Sequence, residues 1–245
     1  MGRALPWVEP DDPLPPVTQA LSDPNGLLAA GRDLSAARLL QAYRAGIFPW
    51  YTPGQPVLWW APDPRMVLFL DEFKASQSLR KLARKIARTG LWTVRLNFAF
   101  EHVMRACAEP RSGQEGTWIT RDIQYAYGEL HARHHAHSVE IWRKGASREQ
   151  PELIGGLYGV AIGRMFFGES MFARERDASK LALLCLVHLL HGLGFRVIDC
   201  QQNTRHLASL GAREISRAAF SEMLSELVSL PDPDWSSVRI EVPGA

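Results

Sequence analysis

The chain has 245 residues, 46% of them hydrophobic, enough to bury the core of one large domain or two smaller ones. Its 28 lysines and arginines against 26 acids leave a formal charge of +2, so no global charge marks it as a nucleic-acid binder and any RNA contact must be a local patch. The three cysteines, Cys107, Cys185 and Cys200, have neither paired nor metal-ligand spacing, which points to a reducing compartment and away from a disulfide or a zinc site.

The N-terminal stretch MGRALPWVEPDDPLPP lacks the apolar core and cleavage pattern of a secretory signal. The longest strongly apolar run, 181–190, is half of the roughly 20 residues that span a bilayer, so a cytoplasmic protein without membrane contact is expected. Up to residue 70, Pro, Trp and Gly are dense and predict a small, turn-rich N-terminal domain, interrupted by one short helix over 35–44 with Ser35 as its N-cap. Trp50, Tyr51, Trp59 and Trp60 cluster there; they read as a small core from which one or two rings are available to stack on a base. A boundary is expected near Leu70, dividing 1–70 from a larger domain over 71–245.

Beyond it, 78–88 predicts a basic helix with Leu79, Leu82 and Ile86 on one face. Lys81, Arg84, Lys85 and Arg88 recur at spacings of three and four beside Arg80. Like charges at that spacing mildly destabilise a helix, so the stripe is either a solvated face or a contact for an anion such as the phosphate backbone. Strand-like runs over 92–96, 138–142, 153–162, 165–167 and 195–199 then alternate with helical ones over 98–109, 121–133, 177–192 and 204–210, which reads as an α/β or α+β domain with a mixed sheet. The helix from Asp177 is apolar nearly all round and is expected to pack centrally against that sheet. The strand after it ends in Asp199-Cys200-Gln201, and strand alternation predicts that Asp199 and Gln201 point to the same side.

The most informative stretch is 155–180, where Glu169 stands in a glycine-rich, aromatic run. An ionised carboxylate buried without a partner costs several kcal/mol, so Glu169 needs one. It is either an ion pair with Arg164, Arg174 or Arg176, or a substrate. Phe166, Phe167, Met171 and Phe172 beside it suggest an apolar wall, and an apolar wall with one anion suits an amino acid. His131 and His135 have HxxxH spacing, but no Glu stands between them and no third ligand is apparent, so no metal is expected. The glycines at 155, 156, 159, 163 and 168 follow no nucleotide-binding pattern and predict bulges or close backbone approach.

Ten blocks in order, including PNGLLAAGRDLS, YRAGIFPWY, LWWAPDPR, EGTWIT, AHSVEIW, GGLYGVAIG, FFGESMF, ASK, DCQ and HLASLGA, make the chain resemble the leucyl/phenylalanyl-tRNA–protein transferases over nearly its whole length. The resemblance implies a bacterial cytoplasmic enzyme that moves Leu, Phe and less readily Met from aminoacyl-tRNA to proteins beginning with Arg or Lys, creating an N-degron for proteolysis. It implies no cofactor, a monomer, and an α+β fold in which a small N-terminal domain joins a GNAT-like (acetyltransferase-related) C-terminal domain. Carried over by motif, Glu169 and Gln201 are the catalytic residues, with Asp199 assisting the glutamine. Leu157, Phe166 and Phe172 are candidates for the aminoacyl side-chain pocket, and Arg80, Lys81, Arg84, Lys85, Arg88, Trp50 and Trp60 for tRNA binding. Three places depart from the family pattern: Arg32 where Gly is expected, Asp177 where Asn is common, and a longer loop over 144–151. Two rivals are weaker. A coenzyme A acetyltransferase needs a pyrophosphate-binding turn that the sequence lacks, and a noncatalytic RNA- or peptide-binding module gives Glu169, Asp199 and Gln201 no reason to converge.

Overall fold

In the computed structural model, which describes residues 4–110, 117–144 and 151–244, two β-sheets carry the fold. The smaller is built from β1 (Trp7–Val8), β2 (Leu27–Gly31), β3 (Phe48–Pro49) and β4 (Val57–Trp60) in the order β1-β2-β4-β3, with α1 (Ala36–Arg44) crossing between β2 and β3. Ser35 caps α1 by accepting the Arg38 backbone N–H, which satisfies one of the free donors of the first turn. Arg32, outside the family pattern, is exposed and lies over the Trp7 ring at 5.7 Å.

The larger sheet has seven strands: β5 (Arg65–Phe69), β6 (Trp92–Leu96), β7 (Ala136–Arg143), β8 (Glu152–Ile162), β9 (Met165–Ala173), β10 (Val197–Gln201) and β11 (Arg213–Ile215). Their order is β11-β5-β10-β9-β8-β7-β6; every neighbouring pair is antiparallel except β9 and β10, so this is a mixed sheet in an α+β chain. The boundary expected near Leu70 falls after β5, which pairs with β10 and β11 in the larger sheet; the two sheets part within residues 61–64.

Strand alternation divides the core in two. On one face Leu157, Phe166, Ile198 and Leu68 pack with α2 (Gln77–Thr89) and α5 (Ala178–Gly192), whose Leu181, Ala182, Cys185, Leu186 and Leu190 are buried. On the other, Tyr158, Phe167, Val197 and Val67 meet α3 (Phe100–Ala108), α4 (Arg121–Ala132), the smaller sheet and Tyr43 of α1. The short α6 (Arg205–Ser209) and α7 (Arg217–Leu227) complete the chain order. Asp177 before α5 takes a left-handed conformation at φ 65° and makes no cap bond to the helix; its carboxylate accepts from Lys180 Nζ at 2.8 Å instead. Residues 145–150 of the expected long loop, and Glu115 and Gly116 of the EGTWIT block, lie outside the described residues. Among the described residues no helix is long and apolar enough to cross a membrane.

Candidate active site

Two strand irregularities build the site. Along β8 and β9, Gly159 pairs with Gly168 but Tyr158 pairs with Ser170, so Glu169 is an extra residue in β9. Such a bulge re-aims a side chain and resets the alternation beyond it. Gly168-Glu169-Ser170 is therefore a bulge inside a strand that runs on to Ala173. Gly159 makes room for it: a Cβ there would lie 2.3 Å from the Phe167 carbonyl oxygen. Along β10 the register against β5 also slips, Asp199 facing Val67 and Gln201 facing Met66, and Gln201 adopts φ 62°. The ladder between β9 and β10 consists of two register pairs, Ile198 with Phe166 and Asp199 with Phe167. Just past it, Gln201 Nε2 donates to Glu169 Oε1 at 2.8 Å.

Glu169 is half-buried, and its remaining partners are phenols. Tyr43 Oη donates to Oε1 at 2.7 Å and Tyr127 Oη to Oε2 at 3.1 Å, while the two hydroxyls also share a short hydrogen bond with each other. Three oxygen–oxygen contacts thus form a ring that two phenolic hydrogens cannot fill. With Glu169 protonated on Oε2 the ring would close, Oε2 then donating to Tyr127, Tyr127 to Tyr43, and Tyr43 to Oε1. In keeping with this, the Glu169 carboxyl is raised from 4.5 to about 7; burial is the main cause and nearby Asp199 adds to it, while the bonds from Tyr43, Tyr127 and Gln201 oppose it. None of the arginines suggested as ion-pair partners reaches it: Arg164 bonds the Pro231 and Gly163 carbonyls, Arg174 pairs with Glu109, and Arg176 with Asp177. The carboxylate that the sequence leaves without a partner is held by neutral donors.

Asp199 is fully buried and forms a two-pronged ion pair with buried Arg65, at 2.8 Å to Nε and 2.7 Å to Nη2. The Arg65 guanidinium lies 4.7 Å from each of the Phe48 and Phe220 ring centres. Asp199 reaches Gln201 through the backbone, accepting its N–H at 2.9 Å, and makes no bond to the side-chain amide. The expectation that both side chains point the same way fails at the slip between them.

A cavity of about 840 Å³ opens here. Its apolar part is walled by Leu68, Leu157, Phe166, Leu183, Leu186 and Ile198, with Met171 and Cys200; its polar part presents Glu169, Gln201 and Tyr158; and Trp50 and Trp118 stand on the side of the smaller sheet. Leu157 and Phe166, two of the candidates for the aminoacyl side-chain pocket, line this cavity. The third candidate, Phe172, does not line it: the bulge moves it to the opposite face, where it packs with the Phe167 cluster, and sets Met171 opposite Leu157. Nothing in the sequence marks the α5 leucines Leu183 and Leu186 as cavity residues, because a helix apolar all round gives no sign of which side faces a cavity.

Arg80, Lys81, Arg84, Lys85 and Arg88 are all exposed along α2, and among the described residues none makes an ion pair. Trp60 Nε1 donates to the Trp50 carbonyl at 2.7 Å, and the two rings meet edge to face with Trp50 41% exposed, a ring surface open for stacking. The histidines serve packing. His131 bonds the Ala136 carbonyl and stacks on Phe100, and His137 stacks on Trp235 with burial holding it down at about 3. Among the described residues no group of three or more His, Cys, Asp or Glu side chains is arranged to hold a metal.

Comparison with known proteins places these features in a family. The family model described as leucyl/phenylalanyl-tRNA protein transferase matches residues 67–225, and the corresponding N-terminal domain model matches 32–63. A leucyl/phenylalanyl-tRNA–protein transferase of Bordetella petrii is 56% identical over 246 residues, covering 98% of this chain and 95% of its own length. One from Chromobacterium violaceum is 56% identical over 230 residues, covering 94% of each. Among solved structures, the crystal structure of FemX is similar at a TM-score of 0.44 and 9% identity, over 77% of this chain and 70% of that one.

Proposed function

The chain belongs to the leucyl/phenylalanyl-tRNA–protein transferase family and is an aminoacyltransferase; from that premise we propose that it moves Leu, Phe and less readily Met from charged tRNA to proteins whose first residue is Arg or Lys. The product is then a protein with a new apolar N-terminal residue, an N-degron for proteolysis in the cytoplasm, made by a monomer without a cofactor. The larger sheet, joined by β5 onward, corresponds to the GNAT-like catalytic domain and the preceding segment to the small N-terminal one.

The aminoacyl ester is already activated, so the main task is to hold a neutral amine against its carbonyl carbon, and orientation supplies much of the acceleration. The transferred side chain lies against Leu157, Phe166, Leu183 and Leu186, where selection between apolar side chains is modest, on the order of 1–3 kcal/mol per methylene. Because Gln201 points its Nε2 at Glu169, its Oε1 is left to accept an N–H of the incoming amine. The C–N bond forms, the ester C–O bond breaks, the amine gives up a proton, and the tRNA ribose oxygen leaves with one. Glu169, at about 7, is matched to carry that proton at neutral pH. Asp199 positions Gln201 through its backbone. The exposed stripe of α2 and the Trp50–Trp60 pair take the tRNA.

The observation that carries this reading is a carboxyl held by the neutral donors Tyr43, Tyr127 and Gln201 on the wall of an apolar cavity, with burial raising its pKa in keeping. Transfer of labelled Leu from charged tRNA is to be measured to a peptide beginning with Arg and to its counterpart beginning with Ala. Label on the Arg peptide alone is expected. Charged tRNA that binds but labels neither peptide would reduce the chain to an RNA-binding module.

A further inference from the structure

Among the described residues, two carboxylates line the cavity: Glu169 and Glu109. Glu109 follows the last turn of α3, and its Oε1 accepts from Arg174 Nη2 at 2.5 Å, with the two side chains 55% and 44% exposed. Arg174 also donates to the Leu153 carbonyl at 3.2 Å and lies over the Phe172 ring at 5.5 Å. A guanidinium of the protein itself thus rests on the one rim carboxylate of the cavity.

We propose that Glu109 is the specificity residue for the acceptor, taking the cationic side chain of its first residue while Glu169 engages its α-amine, with Arg174 occupying the place until then. This rests on the acceptor rule of the proposed function. The chemistry follows from what else lines the cavity. A Lys or Arg side chain brought to an apolar cleft needs an anion. Glu169 is committed to three hydrogen bonds and to the amine, and Gln201 and Tyr158 are neutral. His206, the remaining ionisable lining group of basic type, is held below its ordinary value by burial and by Lys180, and as a neutral ring offers no attraction. Glu109 remains. A half-exposed ion pair is weak, worth about 0–1 kcal/mol, so exchanging one guanidinium for another is nearly free, whereas an uncharged side chain has nothing with which to displace Arg174.

The test uses the full chain, leucyl-tRNA, and two peptides that differ only in beginning with Arg or with citrulline, its uncharged isostere. The wild type is expected to prefer Arg. In Glu109→Gln the KM for the Arg peptide rises up to about fivefold, as for loss of one half-exposed charge pair of at most about 1 kcal/mol, while citrulline is served as before. Arg174→Gln moves the other way and lowers the KM for the Arg peptide, because Glu109 no longer has a competing partner. A Glu109→Gln enzyme with the wild-type preference for Arg over citrulline, or an Arg174→Gln enzyme with a raised KM for Arg and not for citrulline, overturns the assignment. A wild type that labels both peptides equally instead removes the acceptor rule and this inference with it.

Discussion

Replacing Glu169 by Gln separates what the site costs the fold from what it gives the reaction. A carboxyl at about 7 in the folded chain and at its ordinary 4.5 in the unfolded one opposes folding by about 3 kcal/mol once both are ionised, at about 1.4 kcal/mol per unit. The sign follows from proton binding. The folded chain holds the proton more tightly, so below pH 4.5 both states are protonated and nothing is lost. Between 4.5 and 7 the unfolded chain ionises first and stability declines; above 7 the loss is constant. Glutamine copies the protonated acid: its Nε2 donates to Tyr127, Tyr127 to Tyr43, and its Oε1 accepts from Tyr43 and Gln201, so the ring closes without a charge. Glu169→Gln is therefore expected to match the wild type at pH 4 and to be more stable by up to about 3 kcal/mol at pH 8, while losing transfer. Urea denaturation of both proteins at pH 4, 6 and 8 reads the difference. A gap that does not change with pH, or a wild type more stable at pH 8, refutes the raised carboxyl and with it the proton-carrying role.

Three further outcomes are expected. Asp199→Ala leaves Arg65 buried without its partner and should cost about 3–5 kcal/mol in denaturant melts, whereas the double change Arg65→Met with Asp199→Leu should restore most of that stability but not transfer, since Gln201 has lost the acceptor of its backbone N–H. If the apolar wall selects the transferred residue, Leu186→Phe lowers kcat/KM for phenylalanyl-tRNA on the order of tenfold more than for leucyl-tRNA, and Phe172→Leu, off the cavity, leaves that ratio alone; a ratio that moves with Phe172 would contradict the register. Arg84→Glu combined with Lys85→Glu should weaken tRNA binding and flatten its dependence on salt, and an unchanged salt slope would make the stripe an ordinary solvated face.

Much of the fold was legible from periodicity. The Ser35 cap, the basic stripe of α2, the all-apolar α5 and the strands β6, β8 and β10 lie close to where spacing puts them. The parts that were not legible share one physical origin. A period of two predicts that Phe166 and Phe172 lie on one face and that Asp199 and Gln201 do likewise, but one inserted residue reverses every side chain beyond it. Gly159 and Gly168 were the available signs of the first bulge, since glycine inside a strand marks close backbone approach. The Cys200 slip carries no such mark. Tyr43 and Tyr127 lie 126 and 42 residues from Glu169 in sequence, and no local pattern joins them to it.

That the site holds its carboxylate with phenols and a carboxamide rather than with an arginine has a chemical consequence. An arginine at Glu169 would hold the carboxyl ionised, and a carboxylate so held is a poor proton acceptor. Neutral donors instead leave it at about 7, within about one unit of an α-amine, whose ordinary value is roughly 7.7–8.0. Proton transfer between the two is then nearly balanced, and small changes in contact tip it. An arriving ammonium favours the ionised carboxylate. Once the amine has given up its proton, the closed ring favours keeping it on Glu169. On the proposed function, the same half-buried carboxyl would bind the acceptor as a cation and release it as a nucleophile, a sequence that a permanent salt bridge at Glu169 would forbid.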